Sequence, residues 1–335
     1  MATEGSVSSP PWLPLELIEM IIFEAWSSPL PINERVALFT SLCRVNRAWL
    51  GLFVRIAFKD VHIPGPDFAQ DYLRLIRGRL YFGDNDPYLM KSSGSSTTVN
   101  NLCRSLTFHV GRGSSSHPLY AVGATPSITL SCAAASNFIS STLYMVTVLD
   151  YLPNLRRVSL QYFNWGFDDV VDQGRLVVFP KQITHLDIAF SYSGGLVTSL
   201  VSSLRSDYLR RWHRYWTLPH VRHLSIRGAP IKFVADILAA CTCLETLDID
   251  NAESLQVLQH SPSTLHTVAL HLPGEDLGNT ELERWKLAEA LKKGLLSDTT
   301  SPRIIVYCGS VEGGAWEMTR RSCKGFGVQL VHCLE

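Results

Sequence analysis

Val221-Arg222-His223-Leu224-Ser225-Ile226 is followed by Leu244-Glu245-Thr246-Leu247-Asp248-Ile249 and then by Leu265-His266-Thr267-Val268-Ala269-Leu270. Each stretch opens on an apolar residue, skips two, and then alternates apolar with polar. Alternation with period two marks a strand that buries one face. The same pattern occurs upstream as Phe58-x-x-Val61-x-Ile63, Cys103-x-x-Leu106-x-Phe108, Leu155-x-x-Val158-x-Leu160 and Ile183-x-x-Leu186-x-Ile188. From Leu155 the successive starts lie 28, 38, 23 and 21 residues apart. Self-similarity at about 20–29 residues predicts stacked units, none of which buries its apolar edge alone.

Helical stretches fill the intervals. Residues 137–152 carry Phe138, Leu143, Val146 and Leu149; residues 196–216 carry Leu200, Leu204, Tyr208 and Trp212; residues 231–240 are short and apolar. Parallel strands need such crossovers. Downstream, Thr280-Glu281-Leu282-Glu283 reads as a capping box before a helix carrying Leu282, Trp285, Ala288, Leu291 and Leu295. Ile304 and Val306 mark a strand, a helix through Trp316 follows, and Val328 and Leu330 mark a last strand. The predicted class is α/β, with parallel strands in an irregular solenoid over 58–335. Leu186, Ile188, Leu224, Ile226, Leu247 and Ile249 are expected to point inward.

The N-terminal part differs. Residues 1–11 read as a flexible N-terminus and 12–57 as a three-helix segment. Pro14 suits the front of a helix, on which Leu17, Ile21 and Ala25 recur four apart, with Ile18 and Ile22 beside them. Ser27-Ser28-Pro29-Leu30-Pro31 stops that helix. Asn33 is placed to cap a second, carrying Leu38, Leu42, Val45 and Trp49. Asn46 is placed to cap a third, carrying Trp49, Leu52, Phe53 and Ile56. Three helices of about a dozen residues cannot bury this much apolar surface among themselves, so they require further protein to cover it.

Leu13-Pro14-Leu15-Glu16-Leu17-Ile18, followed by Leu38, Leu42-Cys43-Arg44-Val45-Asn46-Arg47-Ala48-Trp49 and a short strand, resembles the F-box. The resemblance covers roughly the first 50 residues after the N-terminus; the join from Phe23 to Leu38 is longer and richer in proline than in compact F-boxes. It implies a Skp-type adaptor and a cullin scaffold as partners, with Leu13, Pro14, Leu17, Ile18, Ile21, Leu42, Val45 and Trp49 at the adaptor-binding positions. The repeated strands resemble divergent leucine-rich repeats, as in fungal F-box proteins. Where that family usually carries asparagine, Phe163, Phe190 or Gly228 stands here. The implied function is a non-catalytic substrate receptor of a Skp–cullin–F-box ubiquitin ligase. The alternative is an interaction scaffold in which the F-box-like helices only cap the solenoid.

Composition narrows the classes. Hydrophobic residues make up 46%, which favours a packed globular chain over disorder. Lys+Arg and Asp+Glu are both 30, so no net charge attracts nucleic acid or an anionic membrane. Arg205, Arg210, Arg211 and Arg214 surround Tyr208, Trp212, Tyr215 and Trp216, which reads as an amphipathic helix with a solvated Arg face rather than a nucleic-acid platform. No run of apolar residues has the length of a membrane span, and no secretory signal opens the chain. The eight cysteines are scattered, as buried free thiols in a reducing compartment, cytoplasmic or nuclear, would be. Cys241-Thr242-Cys243 lacks zinc-ligand spacing.

No catalytic constellation emerges, so no enzyme and no cofactor are expected. Gly194-Gly195 and Gly309-Ser310-Val311-Glu312-Gly313-Gly314 lack the dinucleotide and P-loop spacings and read as turns. Lys91–Thr98 and Gly111–His117 read as low-complexity surface insertions. The strand residues flanking the inward positions must share the opposite face: Arg157, Ser159 and Gln161; His185 and Asp187; His223, Ser225 and Arg227; Thr246, Asp248 and Asp250; Thr267 and His271. The candidate target-binding set is Arg157, His185, Asp187, His223, Arg227, Asp248 and Asp250. It is expected as a mixed-charge surface for a protein target, with Arg157 and Arg227 at a basic end and Asp248 and Asp250 at an acidic one.

Overall fold

The computed structural model describes residues 13–28, 30–77, 95–111, 133–167, 170, 178–192, 201–202, 217–260, 262–272, 277, 282–283, 285–296, 301–311 and 313–334. The flexible N-terminus expected over 1–11, Gly194-Gly195, the Arg- and aromatic-rich stretch 205–216 and the cap residue Thr280 lie outside them. The chain divides into two compact units, Met1–Val61 and His62–Glu335.

The first unit holds three helices: α1 (Leu15–Ser27), α2 (Ile32–Cys43) and α3 (Arg47–Ala57). Pro14 stands at the N-cap of α1 and Ser28 closes it. The α2 boundary falls at Pro31, whose extended ψ of 151° leads directly into Ile32. Asn33 is therefore inside the first turn and is not the cap. Asn46 does cap α3, its side chain accepting a 2.9 Å hydrogen bond from the Trp49 backbone N–H. The core is Ile22, Trp26, Leu52, Phe53, Ile56 and Ala57, with Ile18, Leu38, Leu42, Cys43 and Trp49 packed against it. On α1 the buried stripe is thus Ile18–Ile22–Trp26, one residue along from Leu17–Ile21–Ala25.

Arg35 pins this unit. It is 5% exposed, donates to the carbonyls of Trp26 and Ser28, and lies 5.2 Å from the Trp26 ring centroid. A helix leaves its last carbonyls unpaired, and Arg35 satisfies that end of α1 from α2.

Nine parallel strands form one sheet in chain order: β1 (Asp60–Ile63), β2 (Ser105–Gly111), β3 (Arg157–Phe163), β4 (His185–Ser191), β5 (His223–Arg227), β6 (Thr246–Ile249), β7 (Thr267–Leu272), β8 (Arg303–Cys308) and β9 (Gln329–Leu334). All nine follow the apolar patterns in the sequence, and β8–β9 is the expected parallel pair. The register is continuous: Val158, Leu186, Leu224, Leu247, Val268 and Ile304 stand side by side. Leu160, Ile188, Ile226, Ile249, Leu270 and Val306 form the next row. The six residues expected to point inward are each at most 1% exposed. Tyr162, not Phe163, aligns with Phe190, and their buried rings stack at 5.3 Å; Phe163 falls on the exposed phase of the alternation.

The helices of the second unit that are described along their length include α4 (Pro66–Ile76), α5 (Ser95–Leu102), α6 (Ala133–Val148), α7 (Ile231–Ala240), α8 (Leu287–Lys292) and α9 (Gly313–Gly325), with a 3-10 helix at Ala252–His260. They pack in a row: α4 on α5 and α6, the 3-10 helix on α7 and α8, and α8 on α9. Phe138 of α6 meets Phe108 of β2, and Phe233 of α7 meets Phe190 of β4, so these helices cover the apolar face of the sheet.

Three local expectations change. Ser95–Thr98 begin α5 rather than extending a linker. Leu149 lies past the end of α6 and is exposed. Lys286 takes a left-handed φ of 47°, which restarts the helix, so α8 buries Leu287, Ala290 and Leu291 while Ala288 is exposed. No helix among the described residues is long and apolar enough to cross a membrane.

Candidate functional site

Two surfaces collect the side chains expected to bind partners. The first is on the N-terminal helices. Of the adaptor-motif positions, Leu13, Pro14, Leu17, Ile21 and Val45 are exposed, with Leu13 at 55%, Ile21 at 49% and Val45 at 52%. Ile18, Leu42 and Trp49 are half-buried and pack on the core, so they support the surface as well as border it. The Trp49 indole N–H is buried with no hydrogen-bond partner.

Eighteen large apolar side chains are exposed among the described residues, and nine of them lie between Leu13 and Val45. On α1, Leu17, Met20 and Ile21 point away from the side that carries Ile18, Ile22 and Trp26. The helix is therefore apolar on two sides. A helix apolar all round is stable only when both sides are covered, and concentrated apolar exposure marks an interaction surface.

The second surface is the open face of the sheet. In-register parallel strands set equivalent residues about 4.8 Å apart, so the alternation in sequence becomes rows of side chains. Arg157, His185 and His223 are successive members of one row; Ser159, Asp187, Ser225 and Asp248 form the next. His185 and His223 stack at 4.1 Å with 18° between rings, and His271 stacks on Tyr307 at 4.4 Å.

The charges interleave instead of separating into a basic and an acidic end. Arg157 Nε lies 2.5 Å from Asp187 Oδ2. Asp248 is 3.9 Å from Arg227 and 3.2 Å from His271 Nε2. A chain-order sheet places strands β3 to β7 next to one another, so opposite charges on neighbouring strands pair. Asp250 has a different role: its Oδ2 accepts a 2.6 Å hydrogen bond from the Gly228 backbone N–H and holds the turn after β5.

Burial raises the Asp248 carboxyl above its ordinary value, with Asp187 and Asp250 adding to the shift and His271 and Arg227 opposing it. Burial lowers the His185 pKa, helped by His223 and Arg157 and opposed by Asp187. The stacked His223 ring and the Arg157 guanidinium beside it both disfavour a charge on His185. The Cys241 thiol is pushed up to about 12 by burial, while Cys243 is exposed, so the two cysteines do not converge. Among the described residues no three His, Cys, Asp or Glu side chains are grouped to hold a metal ion.

The alternation rule could have found Tyr307, which falls on the open face beside His271. His62 and His109, whose ring nitrogens approach to 3.0 Å, also sit at alternating strand positions. Nothing in the sequence marks Arg35, because its partners are backbone carbonyls. No family model and no curated protein matches this chain.

Proposed function

We propose that the protein is a non-catalytic substrate receptor of a Skp–cullin–F-box ubiquitin ligase. In this reading the N-terminal helices bind a Skp-type adaptor. The second unit is an irregular leucine-rich-repeat-like solenoid whose open, polar sheet face takes a target protein. The observation that carries it is the exposed apolar side of α1, where Leu17 and Ile21 occupy adaptor-motif positions without serving the core of their own unit. The chain-order parallel sheet with helices on its apolar face supports the solenoid. The interleaved charges of the open face suit a polypeptide, since mixed charge gives orientation rather than attraction to a phosphate backbone.

The test is co-purification of the full chain with a recombinant Skp-type adaptor. Leu17→Asp together with Ile21→Asp removes binding in this reading, because a carboxylate buried in an apolar interface without a partner costs several kcal/mol. The near-UV circular dichroism of the variant stays that of the wild type. Wild-type protein that does not retain the adaptor, or a double variant that retains it fully, overturns the proposal and leaves a scaffold whose helices serve only as a cap.

A further inference from the structure

β9 is at one edge of the nine-stranded sheet, and no described strand lies beyond it. Its pairing to β8 is parallel and unbroken from Gln329 to Leu334, and the Gln329 N–H donates to the Pro302 carbonyl at 2.9 Å. In a parallel ladder, alternate residues direct both backbone groups to one side. Leu330, His332 and Leu334 therefore turn their N–H and C=O groups toward the free edge.

An open edge is a template for another strand, and edges that must stay bare carry lysine, proline or a bulge. β9 contains none of these. Beside it, between β9 and α9, runs a groove of about 570 Å³. Trp316, Val328 and Leu330 supply its apolar lining, and Arg320 and Lys324 supply its full charges. Among the described residues no carboxylate lines it. Arg320 reaches Glu317 at 3.2 Å, but that pair is half-exposed on both sides, and such pairs hold their partners weakly.

We propose that this edge binds an extended, acidic segment of a partner protein as a tenth strand. The backbone of the segment continues the ladder along Leu330, His332 and Leu334. Its side chains alternate between the two faces, so every second one meets Arg320 and Lys324, and acidic residues at alternate positions are the complement. Main-chain hydrogen bonds supply the affinity, and the charged wall supplies the selectivity. The inference does not depend on the adaptor reading, which concerns the other unit.

The probe is a fluorescent acetyl-(Glu-Val)5-amide peptide, titrated against the full chain and followed by anisotropy. Two analogues carry N-methyl groups on either the Glu or the Val residues. Strand addition predicts that one analogue loses binding and the other keeps it, since only one set of amides faces β9. Arg320→Glu with Lys324→Glu weakens the unmodified peptide at least tenfold; both side chains are exposed, so the fold is retained. A (Lys-Val)5 peptide does not bind. Absence of binding by the Glu-Val peptide overturns the proposal, as does equal binding by both N-methyl analogues, which means charge attraction alone. A dimer of the chain that the double variant dissociates also overturns it, because the edge then belongs to a second copy.

Discussion

The N-terminal helices and the parallel sheet handle apolar side chains in opposite ways. In the sheet, Leu186, Leu224 and Leu247 are at most 1% exposed, and the polar residues between them form the open face. On α1, Ile22 is buried while Ile21, its neighbour in sequence, is 49% exposed. Alternation assigns each strand residue a face with no freedom. A helix offers a continuous circumference, and three helices of this length cover only part of it. Apolar residues left over on the helices are available for binding, whereas in the strands they are committed to the core.

The sharpest break in this comparison comes from truncation at matched positions. Leu224→Ala, in the middle of the sheet, should cost about 2–5 kcal/mol of stability, the range for a buried leucine that leaves a cavity. Ile21→Ala on α1 should stay within about 0.5 kcal/mol, as exposed substitutions do. Denaturant midpoints at constant slope measure both. A large loss for Ile21→Ala would mean that this face is buried in the folded chain.

Gly228→Ala tests the turn that separates β5 from α7. Gly228 has φ +71°, and a Cβ there would lie 2.3 Å from the Phe190 carbonyl oxygen. Left-handed strain alone costs on the order of 1–3 kcal/mol, and the contact with backbone adds to it. A variant as stable as the wild type would contradict this turn geometry. Asp250→Ala should produce a smaller loss at the same place, since it removes the acceptor for the Gly228 N–H.

On the open face the effects are smaller. Arg157→Ala breaks an ion pair whose arginine side chain is 58% exposed, so the loss should be about 0.2–1 kcal/mol and should shrink as salt rises. A salt-independent loss would instead point to packing by the arginine stem.

The smallest effect is a change of slope with pH. The folded His185 pKa lies below its ordinary 6.5, so the unfolded chain takes up this proton first as pH falls. Its contribution to stability is complete above 6.5 and is lost as pH drops toward the lower folded value. His185→Gln should therefore flatten the acid side of the stability curve below 6.5 and leave the neutral side unchanged. An identical slope in the variant would remove His185 from the acid response.

Much of the architecture was legible because periodicity is a local property. The strand positions follow from residues such as Val221, Leu224 and Ile226, whose spacing admits one arrangement with a buried face. The Asn46 cap follows from a side chain that reaches its own helix. Expectations failed where a single residue reset the frame. Lys286 in the left-handed region changes which residues of α8 face inward, and Pro31 displaces the cap expected at Asn33. Both depend on backbone choices that spacing does not record.

The sequence by itself determined which residues are strand, which strand faces are apolar, and that Leu13 to Trp49 carries more apolar surface than three helices can enclose. Only the tertiary structure decided the neighbours. It brought Arg157 to Asp187, Arg227 to Asp248, and His185 onto His223, because lateral register is set by stacking of the buried rows and not by any residue's local preference. It also chose Ile18, Ile22 and Trp26 over Leu17 and Ile21 as the core side of α1. Both stripes are apolar, so hydrophobicity alone cannot rank them; the rings of Trp26 and Phe53, packed edge to face at 5.2 Å, with Arg35 closing the end of the helix, fix which one turns inward.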